Sequence, residues 1–390
     1  MPFTNYRDGN KITQSGASHL LYSFTTHQSP FFHTFSRGRI LLEFSDSSSP
    51  NFPVSWTDIS TVMEVHGACF RQVPPENQES DQLITCENCF LSYGDFCITY
   101  SGKIQLLFDF AQRHGLILSE KKCPTCGELC RLDYNRKSFR CDKSYVTRGC
   151  RRKKCNFLVS CFKGTWFERS HVDIETNLKF VFLFIQKCFS YEFVGLELKL
   201  SDNAICDWAS FCREVLVFWV LENTKKIGGQ GFTVEIDESK FGKRKYNVGR
   251  LIEGQWVFGG VCREIRDMSF VPVADRTADT LLAIIKEYVH EGTTIISDCW
   301  KAYDCLKQEG YNHLTVNHSI NFVDPSTRAH TNTIERTWRD TKNLVPKYGR
   351  RKNFFVGYLA AAYFKLKVKD PSKRLHYFTV AASQLYPPTP

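Results

Sequence analysis

FTVEIDESKFG, residues 232–242, alternates apolar and polar side chains with the two-residue period of a half-buried strand. WVFGGVCREI (256–265) follows a turn signal at Glu253 and Gly254 and reads as its hairpin partner, and MSFVPVAD (268–275) reads as a third strand. Residues 280–290 carry a helical pattern. TTIISDCW (293–300) is a short apolar strand ending in Asp298, HLTVNH (313–318) is a further strand, and HTNTIERTWRDTK (330–342) opens a helix. The order strand, strand, strand, helix, strand, then helix predicts an α/β domain with a mixed sheet of the ribonuclease H type.

That arrangement gives three distant carboxylates a common meeting point. Two-metal phosphoryl chemistry needs carboxylates that hold two divalent ions about 3.5–4 Å apart, one activating the attacking oxygen and one stabilising the leaving oxygen. Asp237 on the first strand, Asp298 at the end of the fourth and Glu335 on the later helix occupy the three places such a sheet provides. Sixty residues lie between the first two, room for two strands and a helix, and thirty-six between the last two, room for a strand and a loop. Asn332 and Glu335 are one helical turn apart, and Lys342 returns to that face two turns later. Glu238 follows Asp237 directly, so on a strand it faces the opposite side and takes no metal role.

Outward towards the N-terminus, a helix is read after Ser201, its N-cap. Ile205, Trp208, Cys212, Val215, Leu216 and Trp219 recur at three- and four-residue steps. With the helical pattern of 173–189, this segment fits a helix-turn-helix or a plain helical linker. CPTCGELCRLDYNRKSFRCDKSYVTRGCRRKKC (123–155) holds a tight CPTCG turn suited to two thiolates on one zinc ion. Cys123 and Cys126 form the first pair, and Cys141 with Cys150 the second, Cys155 being the alternative to Cys150. Four thiolates make a closed structural zinc ribbon. CENC (86–89) is a further Cys-x-x-Cys pair without a matching pair nearby, and reads as packing or free thiols sooner than as half of a metal site. A short amphipathic helix covers 104–115.

The net charge of +10 is concentrated: residues 121–155 carry twelve basic side chains against three acidic, and 341–369 eight against none. Such stripes suit a polyanion, nucleic acid above all. The first twenty residues lack a signal-peptide pattern, and FVFLFIQ (180–186) and VLVFWVL (215–221) are too short to cross a bilayer, so no membrane role is expected. Clustered cysteines without a secretory signal favour metal over disulfides.

VEIDESKFGKRKYNVGR…WVFGG, ISDCWKAY and VNHSINFVDPSTRAHTNTIERTWRDTK together resemble the Merlin-type eukaryotic DNA transposases, relatives of bacterial insertion-sequence transposases with a DDE-type catalytic domain. The resemblance spans roughly residues 104–368 and leaves 1–100 uncovered. It implies a metal-binding triad of Asp237, Asp298 and Glu335 carrying two Mg²⁺ (or Mn²⁺) ions, and a structural Zn²⁺ on Cys123, Cys126, Cys141 and Cys150. It further implies double-stranded DNA as partner, at element ends and target, at least a homodimer in the synaptic complex, and a nuclear location. Lys243, Arg244, Lys245, Arg151, Arg152 and Lys342 are the expected DNA contacts. His318, His330 and Asn332 are candidate accessory residues around Glu335, each with a purely structural alternative. Trp300 and Tyr303 stand either to stack on a displaced base or to pack at the sheet edge.

The expected organisation is a poorly defined region 1–103 and a zinc ribbon with its preceding helix over 104–165. A helical DNA-binding region over 166–228, the catalytic domain over 229–370 and a tail over 371–390 follow. A copy that binds DNA without cutting it is the alternative function, and a ribonuclease H-like nuclease would leave the ribbon unexplained.

Overall fold

The computed structural model describes residues 89–146, 148–149, 151–187, 189–242, 254–320, 322–346 and 354–389. Its largest sheet has five strands: β7 (Thr233–Phe241), β8 (Gln255–Cys262), β9 (Met268–Val273), β10 (Thr294–Asp298) and β11 (Asn312–Val316). They stand in the order β11-β10-β7-β8-β9. β7, β10 and β11 run parallel, whereas β8 is antiparallel to both its neighbours. The hairpin and third strand read from the sequence are therefore present, and a crossover returns the chain to the far side of β7. That crossover is α6 (Ala278–Tyr288), whose Thr277 cap accepts from the Thr280 amide. All six residues of β9 are buried although the strand lies at the sheet's edge, and Pro272 within it is tolerated because an edge strand has one unpaired side.

Two helices follow β11: α7 (Asn332–Leu344), against β7 and β8, and α8 (Phe355–Lys367), against β9. Upstream stands α5 (Asp202–Asn223), begun by Ser201, whose hydroxyl accepts from the Ala204 amide. One apolar face was expected on α5. Instead every residue from Cys212 to Val220 is buried, because α8 packs on it and α9 (Arg374–Leu385) covers a further side. A helix buried on all sides is a core element, and here it takes in even Arg213 and Glu214. Exposed positions are confined to its two ends, Asp202, Asn203, Cys206 and Asp207 at the start and Glu222 and Asn223 at the finish. The expected tail thus contributes a packed helix, with Arg374 fully buried and its guanidinium donating to the carbonyls of Val368 and Lys365.

The cysteine-rich segment forms a four-stranded sheet, β1 (Glu120–Lys122), β2 (Leu129–Asp133), β3 (Ser138–Cys141) and β6 (Phe157–Ser160), in the order β1-β2-β3-β6. A separate hairpin, β4 (Ser144–Val146) with β5 (Arg152–Lys154), projects from it. Before the ribbon lie α1 (Tyr93–Tyr100), closed by a Ser92–Asp95 capping box, and α2 (Ile104–Arg113). Between ribbon and α5 lie α3 (Ile174–Phe184) and α4 (Tyr191–Leu198). One apolar core runs from α1 to α9 and takes in β7, β8, β9 and part of β10, while Ile296, Val316 and Ala329 form a second small cluster at β10 and β11. Among the described residues no helix is long and apolar enough to cross a membrane.

Candidate active site

The parallel pairing of β7 with β10 places Thr294 opposite Thr233 and Ile296 opposite Glu235. Two residues beyond that last pair each strand carries its aspartate, Asp237 on β7 and Asp298 at the end of β10. The consequence is electrostatic. Burial and then the charge of Asp298 push the Asp237 carboxyl up to about 6, with Glu335 on α7 adding to the shift and the Trp338 indole opposing it. Three carboxylates from three separate elements therefore share one field, and they are the three that the sequence spacing singled out. Asp298 Oδ1 accepts from the Trp300 amide at 3.1 Å. Glu238 turns to the other face, where Arg276 stands 3.8 Å away, and burial with the charges of Asp237 and Asp298 raises it to about 8.

A residue the sequence reading passed over holds the helix that carries Glu335. Glu235 is fully buried, and its Oε2 accepts from the amides of Thr333 and Ile334 at 2.7 and 2.9 Å. Those are among the four amides a helix start leaves unpaired. Thr331, the residue before α7, makes no side-chain cap of its own, and Asn332 is the exposed first residue of the helix. Glu235 Oε1 in turn accepts from Arg263 Nε at 2.6 Å. Arg263 Nη2 donates to the carbonyl and to Nδ1 of His330 at 2.5 and 3.0 Å, so Nδ1 of that ring serves as an acceptor. The clue lay in the two-residue period: 235 and 237 share one face of β7.

The same face is closed by Trp338, whose Nε1 donates to Asp237 Oδ2 at 3.0 Å. Its ring stacks on Phe270, 5.1 Å between centroids, and lies where a side chain on Gly259 would be: an added Cβ would stand 2.5 Å from the indole. Gly259 pairs with Asp237 across the hairpin, so the first glycine of WVFGG makes room for the aspartate's donor. Thr331 Oγ1 donates to Glu335 Oε1 at 3.3 Å, and His318 Nε2 donates to that hydroxyl at 2.8 Å while standing 3.7 Å from the carboxylate. His318 and His330 thus both reach the helix start, one on the side of Glu335 and the other on the side of Glu235. Lys342 lies over the Phe241 ring at 5.7 Å, and its ammonium feels Asp237. Trp300 is exposed and packs on Arg276, whereas Tyr303 is buried and belongs to the core.

In the ribbon, the sulfurs of Cys123, Cys126, Cys141 and Cys155 lie within 4.8 Å of one another, with Cys126 and Cys141 3.6 Å apart. The fourth member here is the alternative, Cys155; Cys150 lies outside the described residues. Gly127, at φ +75°, lets the CPTCG turn close through its amide onto the Cys123 carbonyl, 2.9 Å. Burial penalises the Cys123 thiolate, yet amides of Cys126 and Thr125 donate to it and bring it down to about 7. That is the donor set of a tetrahedral zinc ion. Arg151 and Arg152 are exposed at the loop end of the β4–β5 hairpin, and all of Arg152–Lys154 is exposed. Lys243, Arg244 and Lys245 lie outside the described residues.

A family model of the ISXO2-like transposase domain matches residues 228–366, the span that contains β7 to α8. An uncharacterized transposase-like protein of Haemophilus influenzae is 31% identical over 90 residues, which cover 23% of this chain and 72% of that protein.

Proposed function

The chain belongs to the transposase-like family that carries the ISXO2-like transposase domain, and from that membership we propose that it binds the terminal repeats of a mobile element and cleaves and joins DNA there. The observation that carries the catalytic part is the shared field of Asp237, Asp298 and Glu335 at one end of the parallel strand pair. The strand order β9-β8-β7-β10-β11, with β8 alone reversed against β7, β10 and β11, supports the ribonuclease H-like reading of the sheet. The quoted motifs, in their order, support a Merlin-type member.

Carboxylates that raise one another's charging cost repel unless a cation sits among them, so the residues that act on Asp237 fit Mg²⁺ or Mn²⁺. Asp237, Asp298 and Glu335 would hold the two ions. Bound there, the ions would supply the activated water or 3′-hydroxyl and a stabilised leaving oxygen. The chain's own part is positioning. Trp338 fixes one oxygen of Asp237, Thr331 and His318 fix Glu335, and Glu235 with Arg263 fixes the helix start. Lys342, beside Asp237, is suited to a scissile phosphate, and Asn332 is exposed on that side of α7.

The ribbon thiols would hold a structural Zn²⁺, Cys155 standing as fourth ligand. The exposed β4–β5 hairpin, with Arg151 and Arg152, offers a basic arm to double-stranded DNA, and Lys243, Arg244 and Lys245, just after β7 in the sequence, are the further DNA contacts of this reading. Because α5 is mostly core, DNA binding in the 166–228 region falls to α4 and the first turns of α5. Residues 104–165, 166–228 and 229–370 act as ribbon, helical and catalytic parts, with 1–103 preceding them and 371–390 packed behind. Two ends must be joined, which calls for a homodimer or larger synaptic complex, and chromosomal DNA as substrate calls for a nuclear location.

The test uses labelled duplexes from the DNA flanking the coding region, with Mn²⁺, wild type and Glu335→Gln. Binding by both proteins and discrete cutting by wild type alone is the expected result. If both bind and neither cuts, a DNA-binding derivative becomes the better account. Asp298→Ala should behave as Glu335→Gln does.

A further inference from the structure

Far from the carboxylates and outside the ribbon, three buried side chains from three distant segments aim their donor atoms at one point. Cys89, just before α1, His114, at the end of α2, and His376, in the first turn of α9, are each at most 2% exposed. Cys89 Sγ lies 3.2 Å from His376 Nδ1, and His376 Nδ1 lies 3.3 Å from His114 Nε2. All three ligand atoms fall within 4.8 Å of one another.

The tautomer of His114 is settled by its other nitrogen. Nδ1 stands 2.8 Å from the Phe110 carbonyl oxygen, which only accepts, so the ring hydrogen is there and Nε2 presents a lone pair to the cluster. An imidazole held by a backbone carbonyl on one nitrogen, with a lone pair on the other, is the usual arrangement of a metal-ligating histidine. A tetrahedral zinc ion with ordinary bond lengths separates two imidazole nitrogens by about 3.3 Å and a nitrogen from a thiolate by about 3.5 Å. The observed spacings are close to both. A purely hydrogen-bonded trio accounts for them less well. A single hydrogen on His376 Nδ1 is directed at one of its two neighbours at a time, whereas a cation takes a lone pair from all three.

We propose that Cys89, His114 and His376 form a second metal site, for Zn²⁺, which ties the chain before α1 to the C-terminal helix. One thiolate and two imidazoles are a borderline-soft set that suits zinc and not Mg²⁺. Three protein donors leave one coordination position to water or another ligand. Full burial makes the site structural, a cross-link between residues 287 and 262 positions apart in the chain. Burial also keeps the imidazoles in the neutral, ligating form: His114 is depressed to about 4 and His376 is lowered as well. Cys86, the first cysteine of CENC, lies outside the described residues, and the site is assigned without it.

Zinc-edge X-ray absorption on the wild-type full chain tests the site without any substitution. The ribbon's four thiols give sulfur scattering alone. The second site adds imidazole nitrogen at about 2.0 Å, with its outer-shell ring pattern. Zinc content should fall by one equivalent per chain in His376→Gln, together with the nitrogen signal. Cys126→Ser, which removes a ribbon thiol, should keep a nitrogen-rich zinc. A sulfur-only spectrum in the wild type overturns the proposal. So does a His376→Gln protein that folds, as judged by circular dichroism, and still carries the wild-type zinc content and spectrum.

Discussion

Asp237 is the residue whose chemistry is most exposed to pH. An ordinary aspartate titrates near 3.8, and here burial with Asp298 raises it to about 6. A carboxyl raised on folding contributes stability that is complete below its unfolded value and disappears as pH climbs through the folded one. The cation-free protein should therefore lose up to about 3 kcal/mol between pH 4 and 7 from this group. Asp237→Asn should remove that loss, which urea titrations at the two pH values would show. Mn²⁺ or Mg²⁺ should raise the melting temperature of the wild type more at about pH 7.5 than at about pH 5.5, and should do little for Asp237→Asn. Equal metal effects in the two proteins would mean that this carboxylate does not bind the ion. Asp237 was legible in VEIDES because a strand's carboxylate needs two partners and the sequence supplied both at workable spacings. Trp338 as its hydrogen-bond donor was not legible, since an indole in an amphipathic helix reads simply as core.

Among the elements, α7 is held less by its own cap than by β7. Removing the Glu235 carboxylate in Glu235→Ala would strand Arg263 and expose two helix amides to a dry environment, at a cost of about 3–5 kcal/mol. Chemical denaturation measures it; a cost under about 1 kcal/mol would show that water replaces the carboxylate freely. Gly259→Ala would drive a methyl into Trp338 and should cost about 1–3 kcal/mol. If Gly259→Ala folds, the Trp338–Asp237 hydrogen bond is strained, and cleavage should fall more than DNA binding. The sheet itself was readable because period-two alternation and the GG-containing partner strand specify a hairpin. The role of α5 was not. One apolar stripe suggested an amphipathic helix, but its burial on the remaining sides depends on α8 and α9, which come more than a hundred residues later.

For the molecule in full, basic charge and the cysteine sites set the behaviour. Replacing Arg152, Lys153 and Lys154 by alanine should weaken DNA binding uniformly across sequences. It should also flatten the dependence of log affinity on log salt by ~0.9 for each phosphate that is no longer neutralised. Filter binding between about 50 and 200 mM salt reads this slope directly. An unchanged slope would mean that the hairpin points away from DNA. A zinc chelator should unfold the small ribbon, making residues 120–160 sensitive to protease, and leave the five-stranded sheet folded. Protection unchanged by chelation would argue that the thiols are merely packed.

The amino-acid order was sufficient for what neighbouring residues impose on one another: strand alternation, helix caps such as Ser201, the CPTCG turn, and charge density. It also contained the spacing that sets Asp237 beside Asp298, because a parallel register turns equal offsets along two strands into adjacency, and that lets Glu335 act on Asp237 from a later helix. Which groups converge from unrelated segments was set by folding in three dimensions. That packing seated Glu235 under the start of α7, put Cys155 with the other three ribbon thiols, and brought Cys89 to His114 and His376. These meetings follow from the docking of entire helices and strands: the two-residue period sets Glu235 on the face of Asp237, but no periodicity names the partners that arrive there.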